Sequence, residues 1–311
     1  MKPPQPSIAV VMAVYNGAAT VARAIDSVLA QQFDGLRLVI VDDGSTDATP
    51  RIVGRYAEAN PEIISLRLPA NQGKAAALTA GFKAVQPLYF ICCDADDIFA
   101  PGAFSTLFSI ARQTGADIVT GAMREIRGRR TRLVTPARSI ASLNDMPLDT
   151  VHFSLCNKLI RASILTDCAM PFEGIDRWED LGVVARAVVR SQRMEFVGEP
   201  VYDYWLPPGV ESLSRSSKPL LLADRIAMTA RLSEWFLEQG LAGDYAGFLD
   251  HLKFSAKVRY ARAPGRDLRK WASVYPEINR RILRLRHIPL AYRLLFYFVG
   301  LLFSPRPASR R

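Results

Sequence analysis

Leu88-Tyr89-Phe90-Ile91-Cys92-Cys93-Asp94-Ala95-Asp96-Asp97 joins an unbroken apolar run to three carboxylates. A short run without alternation suits a strand buried on both faces, as in a parallel sheet covered by helices. Carboxylates this close repel one another when ionised. At the mouth of a buried strand a shared divalent cation relieves that repulsion, which brings a metal-bound phosphate ligand into view. A plainer reading has Asp96 or Asp97 capping a helix expected over Phe99 to Arg112, with the remaining acids solvated. Local sequence leaves both readings open.

Outward from this strand, the first half of the chain repeats one pattern. Ile8 to Val14 reads as a strand, and Val21, Ile25, Val28 and Leu29 form the apolar stripe of the helix after it. Leu36 to Val41 is a second strand and Thr49 to Ala59 a second helix, with Ser45, Thr46 and Asp47 as turn and cap residues before it. Ile63 to Leu68 is a shorter strand, and Lys74 to Val85 an alanine-rich helix leading into the strand at Leu88 to Cys93. Strands alternating with helices predict an α/β sheet, mostly parallel, with helices on both faces. In such sheets ligands bind beyond the carboxyl ends of the strands, where both Asp42-Asp43 and Asp94 to Asp97 fall. The two clusters are expected to face one crevice.

Later segments read less regularly. Arg124 to Arg138 is basic and contains glycine, as expected of a loop or edge hairpin beside the crevice. Helical pattern returns at Leu181 to Val189, Glu195 to Val197 and Val201 to Trp205 read as strands, and Pro207-Pro208-Gly209 breaks the chain. From Lys218 onward the pattern is mostly helical.

The 311 residues, about half of them apolar, suffice for a large core. Cys92, Cys93, Cys156 and Cys168 show no CxxC spacing, which argues against a structural zinc site and against a disulfide framework. The first strand leads into Tyr15-Asn16-Gly17-Ala18, so the dinucleotide fingerprint is missing, as is a Walker-type lysine loop. Charge is concentrated at one end. Residues 251 to 311 hold fifteen Lys or Arg against Asp267 and Glu277, a net +13, while the first 250 residues carry 25 basic and 28 acidic side chains, a net −3. Aromatic residues Trp271, Tyr275, Tyr292, Phe296, Tyr297 and Phe298 punctuate that basic tail, a composition suited to an anionic membrane surface. A solvated helical face is the alternative. No recognition motif supports nucleic acid as the partner. Ile288 to Phe303 is apolar but only sixteen residues long, against about 20 for a spanning helix. Ile8 to Val14 is too short for the core of an export signal.

Several of these segments together resemble family 2 glycosyltransferases, inverting enzymes of the GT-A fold that use nucleotide sugars. The likeness rests on Val11 to Asn16, Val41 to Asp47, Asn71-Gln72-Gly73-Lys74 and Asp94 to Asp97, in that order and spacing. It continues through Cys156 to Arg161, Phe172-Glu173-Gly174, Trp178-Glu179-Asp180, Tyr202-Asp203-Tyr204 and Ser212-Leu213-Ser214. It covers about residues 7 to 215, so the expected organisation is a GT-A domain over 1–215, Rossmann-like, followed by a helical, basic region over 216–311.

The resemblance implies a role for each motif. Asp42 would accept the imide proton of uracil while the backbone of Ala13, Val14 and Tyr15 holds base and ribose, with Asp43, Asn71, Lys74 and Asp94 completing the nucleotide site. Asp96, with Asp94, would hold Mg²⁺ or Mn²⁺ against the diphosphate. Asp180 would be the general base that deprotonates an acceptor hydroxyl. Trp178, Glu179 and Lys158 would meet the acceptor, and Arg161 is a further candidate for phosphate. The expected reaction is transfer from a UDP-sugar to a glycan or lipid-linked acceptor in bacterial cell-surface polysaccharide synthesis, on the cytoplasmic side and peripheral to the inner membrane. Rival readings are a GDP- or dTDP-sugar donor and a non-catalytic nucleotide-sugar-binding scaffold. Two departures bear on the donor: Leu78-Thr79 stand where many members carry Arg-Asn, and Cys156 where a tryptophan is frequent.

Overall fold

The computed structural model describes residues 5–135, 153–165, 179–206, 219–262 and 274–281, with isolated residues beyond. Among the described residues nine strands form one sheet. In chain order they are β1 (Ile8–Val14), β2 (Leu36–Asp42), β3 (Ile63–Arg67), β4 (Tyr89–Asp94), β5 (Ile98–Phe99), β6 (Ile118–Arg127), β7 (Arg130–Val134), β8 (Lys158–Arg161) and β9 (Met194–Trp205). Their spatial order is β3-β2-β1-β4-β8-β6-β9-β5, with β7 paired to β6. The helices of this unit are α1 (Val21–Leu29), α2 (Thr49–Ala59), α3 (Lys74–Ala84), α4 (Ala103–Thr114), α5 (Ala162–Leu165) and α6 (Glu179–Arg190).

The first four strands are parallel, and β1, β2 and β4 are buried nearly throughout, as their unbroken apolar runs predict. Helix α1 buries Val21, Ala24, Ile25 and Val28, one face of the expected stripe. Helix α3 lies against β1 and β2. Gly81 permits that approach, since a Cβ there would stand 2.4 Å from Cγ1 of Val11.

One helix differs from expectation. Phe99 belongs to β5, and α4 begins at Ala103 behind Gly102, whose φ is +74°, with no side-chain cap. Neither Asp96 nor Asp97 caps it. The helix ends at Gly115, in a left-handed conformation that suits glycine, with its N–H donating to the carbonyl of Ala111.

Beyond β4 the sheet becomes mixed. β8 runs antiparallel to both β4 and β6, β9 is parallel to β6, and β5 is antiparallel to β9. The segments Glu195–Val197 and Val201–Trp205, expected as separate strands, form one strand because the β6 register shifts around Ala122 and absorbs the irregularity between them. Gly121 sits at this point, where a Cβ would lie 2.4 Å from Val201. The basic segment after Arg124 is the β6–β7 hairpin, and residues 136–138 of it lie outside the described ones.

The chain divides into two compact units, one of residues 1–140 and 150–211 and the other of 141–149 and 212–311. Within the second unit, α7 (Pro219–Glu238) packs on α8 (Ala246–Arg262), and α9 (Pro276–Arg281) packs on α8 in turn. Met228, Leu232, Phe236, Phe248 and Leu252 are buried there. A smaller cluster joins Phe254 and Ile278 with Tyr275 and Tyr297 against it. Among the described residues no helix is long and apolar enough to cross a membrane.

Candidate active site

The register of β1 brings the two acidic clusters together. Val14 is paired with Asp42 on one side and Ala13 with Asp94 on the other. The strands are parallel, so both carboxylates leave the same edge of the sheet, two strand spacings or about 10 Å apart. The expected single crevice is therefore the end of β1.

At the end of β2, carboxylates organise loops. Asp43 is buried, and its two side-chain oxygens accept the N–H groups of Gln72 at 2.8 Å and Gly73 at 2.9 Å. Its own N–H donates to the carbonyl of Val14. Asn71 supplies a second acceptor for the Gly73 N–H, at 3.1 Å. Gly73 has φ +89°, and the turn it makes delivers Lys74 as the first residue of α3. Gly44 has φ +70°, and a Cβ there would stand 2.5 Å from the backbone of Ala70, so the two loops meet closely.

The loop after β1 is tied to the same structure. The N–H of Asn16 donates to Ser45 Oγ at 2.9 Å, Asn16 Oδ1 accepts from the N–H of Thr46 at 2.8 Å, and Asp47 Oδ2 accepts from the N–H of Ala18 at 3.1 Å. Asp42 Oδ1 accepts from Ser45 N–H at 2.9 Å. Its Oδ2 is buried without a hydrogen-bond partner, although Arg67 Nε lies 3.4 Å away. A buried carboxylate oxygen lacking a donor is costly, and an external N–H would satisfy it. Tyr15, which follows Val14 in the chain, is exposed.

At the end of β4 the acids have unlike fates. Asp97 is fully buried, with Oδ1 accepting from the N–H of Trp205 at 2.7 Å and Oδ2 from the hydroxyl of Tyr202 at 3.0 Å. Burial first, then Asp94 and Asp96 beside it, push its carboxyl up, and both of its oxygens are already taken by donors within the protein. The same Tyr202 hydroxyl accepts the N–H of Asp94 at 3.0 Å, which fixes the turn from both sides. Asp96 is exposed and its carbonyl accepts from Arg23 Nη2 at 2.7 Å. Desolvation and the charge of Asp94 raise its carboxyl.

Lys74 bridges the strand end to the start of α6. Its Nζ is 2.8 Å from Asp94 Oδ1 and 3.1 Å from Glu179 Oε1. Burial would lower its pKa, but Asp94, Asp180 and Glu179 together hold it well above the ordinary lysine range. Asp180 Oδ2 accepts from the N–H of Leu155 at 3.4 Å, while Oδ1 is buried with no partner. Burial pushes this carboxyl up to about 7; Lys74 opposes the shift, and Glu179 and Asp94 add to it. A base whose pKa lies near neutrality is suited to take a proton from a hydroxyl.

The remaining candidates divide. Lys158 is buried, with Nζ donating to the carbonyl of Ser154 and to Asn157 Oδ1, both at 2.9 Å; burial, against the charge of Asp180, lowers its pKa to about 8. Arg161 is held by Asp117 Oδ1 at 2.8 Å and by the carbonyls of Gly115 and Ala116, and stacks over Tyr89. Leu78 lies in the core and Thr79 Oγ1 donates to the carbonyl of Ala75, so neither supplies the missing arginine's charge. Trp178, Phe172 to Gly174 and Ser212 to Ser214 lie outside the described residues. Reading the sequence gave no role to Tyr202, Trp205 or Arg23. Tyr202 lies 108 residues from the Asp94 it holds, and no local pattern marks such a pairing.

This mixed sheet with acids at its strand ends is the GT-A fold of glycosyltransferases. TarS of S. aureus, solved in complex with UDP, superposes with a TM-score of 0.70 at 18% identity, covering 95% of this chain and 87% of that one. The family model "Glycosyl transferase family 2" matches residues 9–168, and the chain belongs to that family. Along 94% of its length it is 28% identical to the succinoglycan biosynthesis protein ExoO of Rhizobium meliloti, covering 89% of that protein. It is 25% identical to the minor teichoic acid biosynthesis protein GgaA of Bacillus subtilis over 63% of this chain and 46% of that protein. The protein is a glycosyltransferase.

Proposed function

We propose that this glycosyltransferase moves a sugar, with inversion, from a UDP-sugar to a hydroxyl of a glycan or lipid-linked acceptor in bacterial cell-surface polysaccharide synthesis. The observation that carries the reading is the convergence of Asp94, Lys74, Glu179 and Asp180 at one strand end, with an unpartnered oxygen on Asp180. The relatives' names in succinoglycan and teichoic acid synthesis support the pathway class, and TarS solved with UDP supports the donor class.

In this reading Asp42 Oδ2, which takes no hydrogen bond within the protein, accepts the imide N–H of uracil, beside the backbone of Ala13 to Tyr15. Asp43 and Asn71 hold the Gly73 turn so that Lys74 reaches the diphosphate side of the crevice. Among the described residues no three His, Cys, Asp or Glu side chains gather into a closed metal cage. Asp96 and Asp94 instead offer an open pair of hard oxygen ligands, which fits Mg²⁺ or Mn²⁺ completed by substrate phosphates. When bound, such an ion neutralises charge on the leaving nucleoside diphosphate. Asp180 takes the acceptor hydroxyl proton as the oxygen attacks the anomeric carbon opposite the diphosphate, and Glu179 borders the acceptor. Lys158 positions the 154–157 segment beneath Asp180. A GDP- or dTDP-sugar donor is the second reading, left open because Leu78-Thr79 stand where many members carry Arg-Asn.

The aromatic, basic region over 216–311 is assigned to the inner face of the plasma membrane, with the catalytic unit on the cytoplasmic side. Deleting the tail should release the protein from membrane fractions; unchanged fractionation would remove this assignment. The catalytic reading is tested by nucleoside diphosphate release from a panel of nucleotide sugars with an acceptor pool, with Mn²⁺ or with chelator. Release from UDP-sugars that needs the ion and is lost in Asp96→Ala and Asp180→Asn is expected. Ion-independent release, or variants equal to the parent, would overturn it.

A further inference from the structure

The β6–β7 hairpin carries charge that the reaction does not use. Its tip is Arg127-Gly128-Arg129-Arg130, a two-residue turn in which Gly128 has φ +58°. All four residues are exposed. Arg127 and Arg130 are directly opposite one another as the closing pair of the hairpin, an arrangement of like charges that destabilises a two-stranded ladder. Other arginines of the hairpin are matched: Arg124 forms two bonds to Asp203, at 2.5 and 2.8 Å, and Arg132 lies 3.7 Å from Glu125. Among the described residues no acid is paired with Arg127, Arg129 or Arg130. Three guanidiniums without an acidic partner among the described residues thus stand at the turn end of the hairpin.

Their position gives this charge a use. Ile126 is in register with Trp205, and the carbonyl of Ile126 accepts the N–H of Leu206. Trp205 in turn donates its N–H to Asp97, next to Asp96. The arginine tip therefore begins one residue beyond the point where β9 clamps the acidic turn, on the rim of the candidate active site.

We propose that this tip docks on the phosphate head groups of an anionic bilayer, setting the rim of the catalytic crevice at the membrane surface where a lipid-linked acceptor sits. Guanidinium groups pair well with phosphate oxygens, and the cost of opposing Arg127 and Arg130 is relieved when phosphates lie between them. The inference rests on the membrane-peripheral reading above, and adds to the basic tail a second contact in the catalytic unit.

The full chain is tested by co-flotation with vesicles of phosphatidylcholine alone or mixed with phosphatidylglycerol. The triple variant R127Q/R129Q/R130Q should bind the anionic vesicles more weakly by on the order of a hundredfold, given about fivefold for each arginine near such a surface. A charge-matched control, R51Q/R55Q/K83Q, removes three exposed charges elsewhere and should bind within about twofold of the parent. The hairpin variant should melt no lower than the parent, since it relieves a like-charge pair, and should still release nucleoside diphosphate from a soluble donor. Equal binding by parent and hairpin variant overturns the hairpin assignment and leaves the tail assignment standing. Equal losses in both triple variants overturn it too, because net charge alone then explains binding. Binding by the parent to neither vesicle overturns the hairpin and tail assignments together, while donor turnover reports separately on the catalytic reading. A hairpin-dependent affinity for inorganic phosphate or polynucleotide that matches the affinity for vesicles would also count against a bilayer as the partner.

Discussion

At the end of β2, the carboxylates of Asp42 and Asp43 accept backbone amides from Ser45, Gln72 and Gly73; at the end of β4, Asp96 faces solvent and Asp94 faces the ammonium of Lys74. Both are pairs or triplets of acids at parallel strand ends, one strand apart on either side of β1. The first is mostly architecture, with one oxygen of Asp42 taking no hydrogen bond; in the second Asp96 stays exposed, Asp94 is ion-paired, and Asp97 is withdrawn to hold β9. Acidic residues at a strand end therefore do not define a ligand site by number. What decides is which oxygens the protein's own N–H groups have already taken.

The largest test of this contrast lies on the β4 side. Asp180→Asn should lower kcat by about 10² to 10⁴, the usual contribution of a positioned base, with nucleoside diphosphate release as the readout. The rate of the parent should rise with pH through about 7, where Asp180 loses its proton, and the variant should lose that limb. Folding raises this carboxyl, so the neutral form is favoured in the folded chain: its contribution to stability is complete below the unfolded value near 4 and is lost as pH rises through about 7. The asparagine should accordingly fold at least as well at neutral pH.

Next comes Asp96→Ala. On the proposal that Asp96 holds the ion, its removal should cost roughly a hundredfold or more in turnover. Because the side chain is exposed, the melting temperature should stay close to that of the parent. A large drop in stability would erase the distinction between the two clusters.

On the β2 side the balance should reverse. Asp43→Ala removes a charged acceptor from two backbone N–H groups, each such bond contributing about 1.5–3 kcal/mol, so a loss of about 3 kcal/mol in urea unfolding is expected. Activity should fall with it through displacement of Lys74. Tyr202→Phe should cost less, about 2 kcal/mol, by leaving the N–H of Asp94 without its acceptor and Asp97 Oδ2 without its donor. A turnover loss with that variant larger than for Asp96→Ala would show that the turn's position matters more than its exposed carboxylate.

Much of the parallel half was legible because its strands are apolar throughout and each helix shows one buried stripe. The Thr49–Ala59 helix and the Ile8–Val14 strand have the boundaries the pattern predicts. The mixed half was less so. β6 and β8 carry weak local signals, and their pairing depends on contacts such as Arg161 with Asp117, 44 residues apart. The helix expected from Phe99 begins only at Ala103, because pairing with Tyr202 takes Phe99 into the sheet.

By itself the sequence determined the family, the alternation of strands and helices, and the placement of acids at strand ends, because these follow from local order and side-chain chemistry. Tertiary structure alone decided how the acids differ. It paired Asp43 with amides from another loop, buried Asp97 against β9, and brought Lys74 between Asp94 and Glu179, residues 85 positions apart in the chain. Hydrogen-bond satisfaction and desolvation depend on what surrounds a group in space, and neighbours in space were not neighbours in sequence.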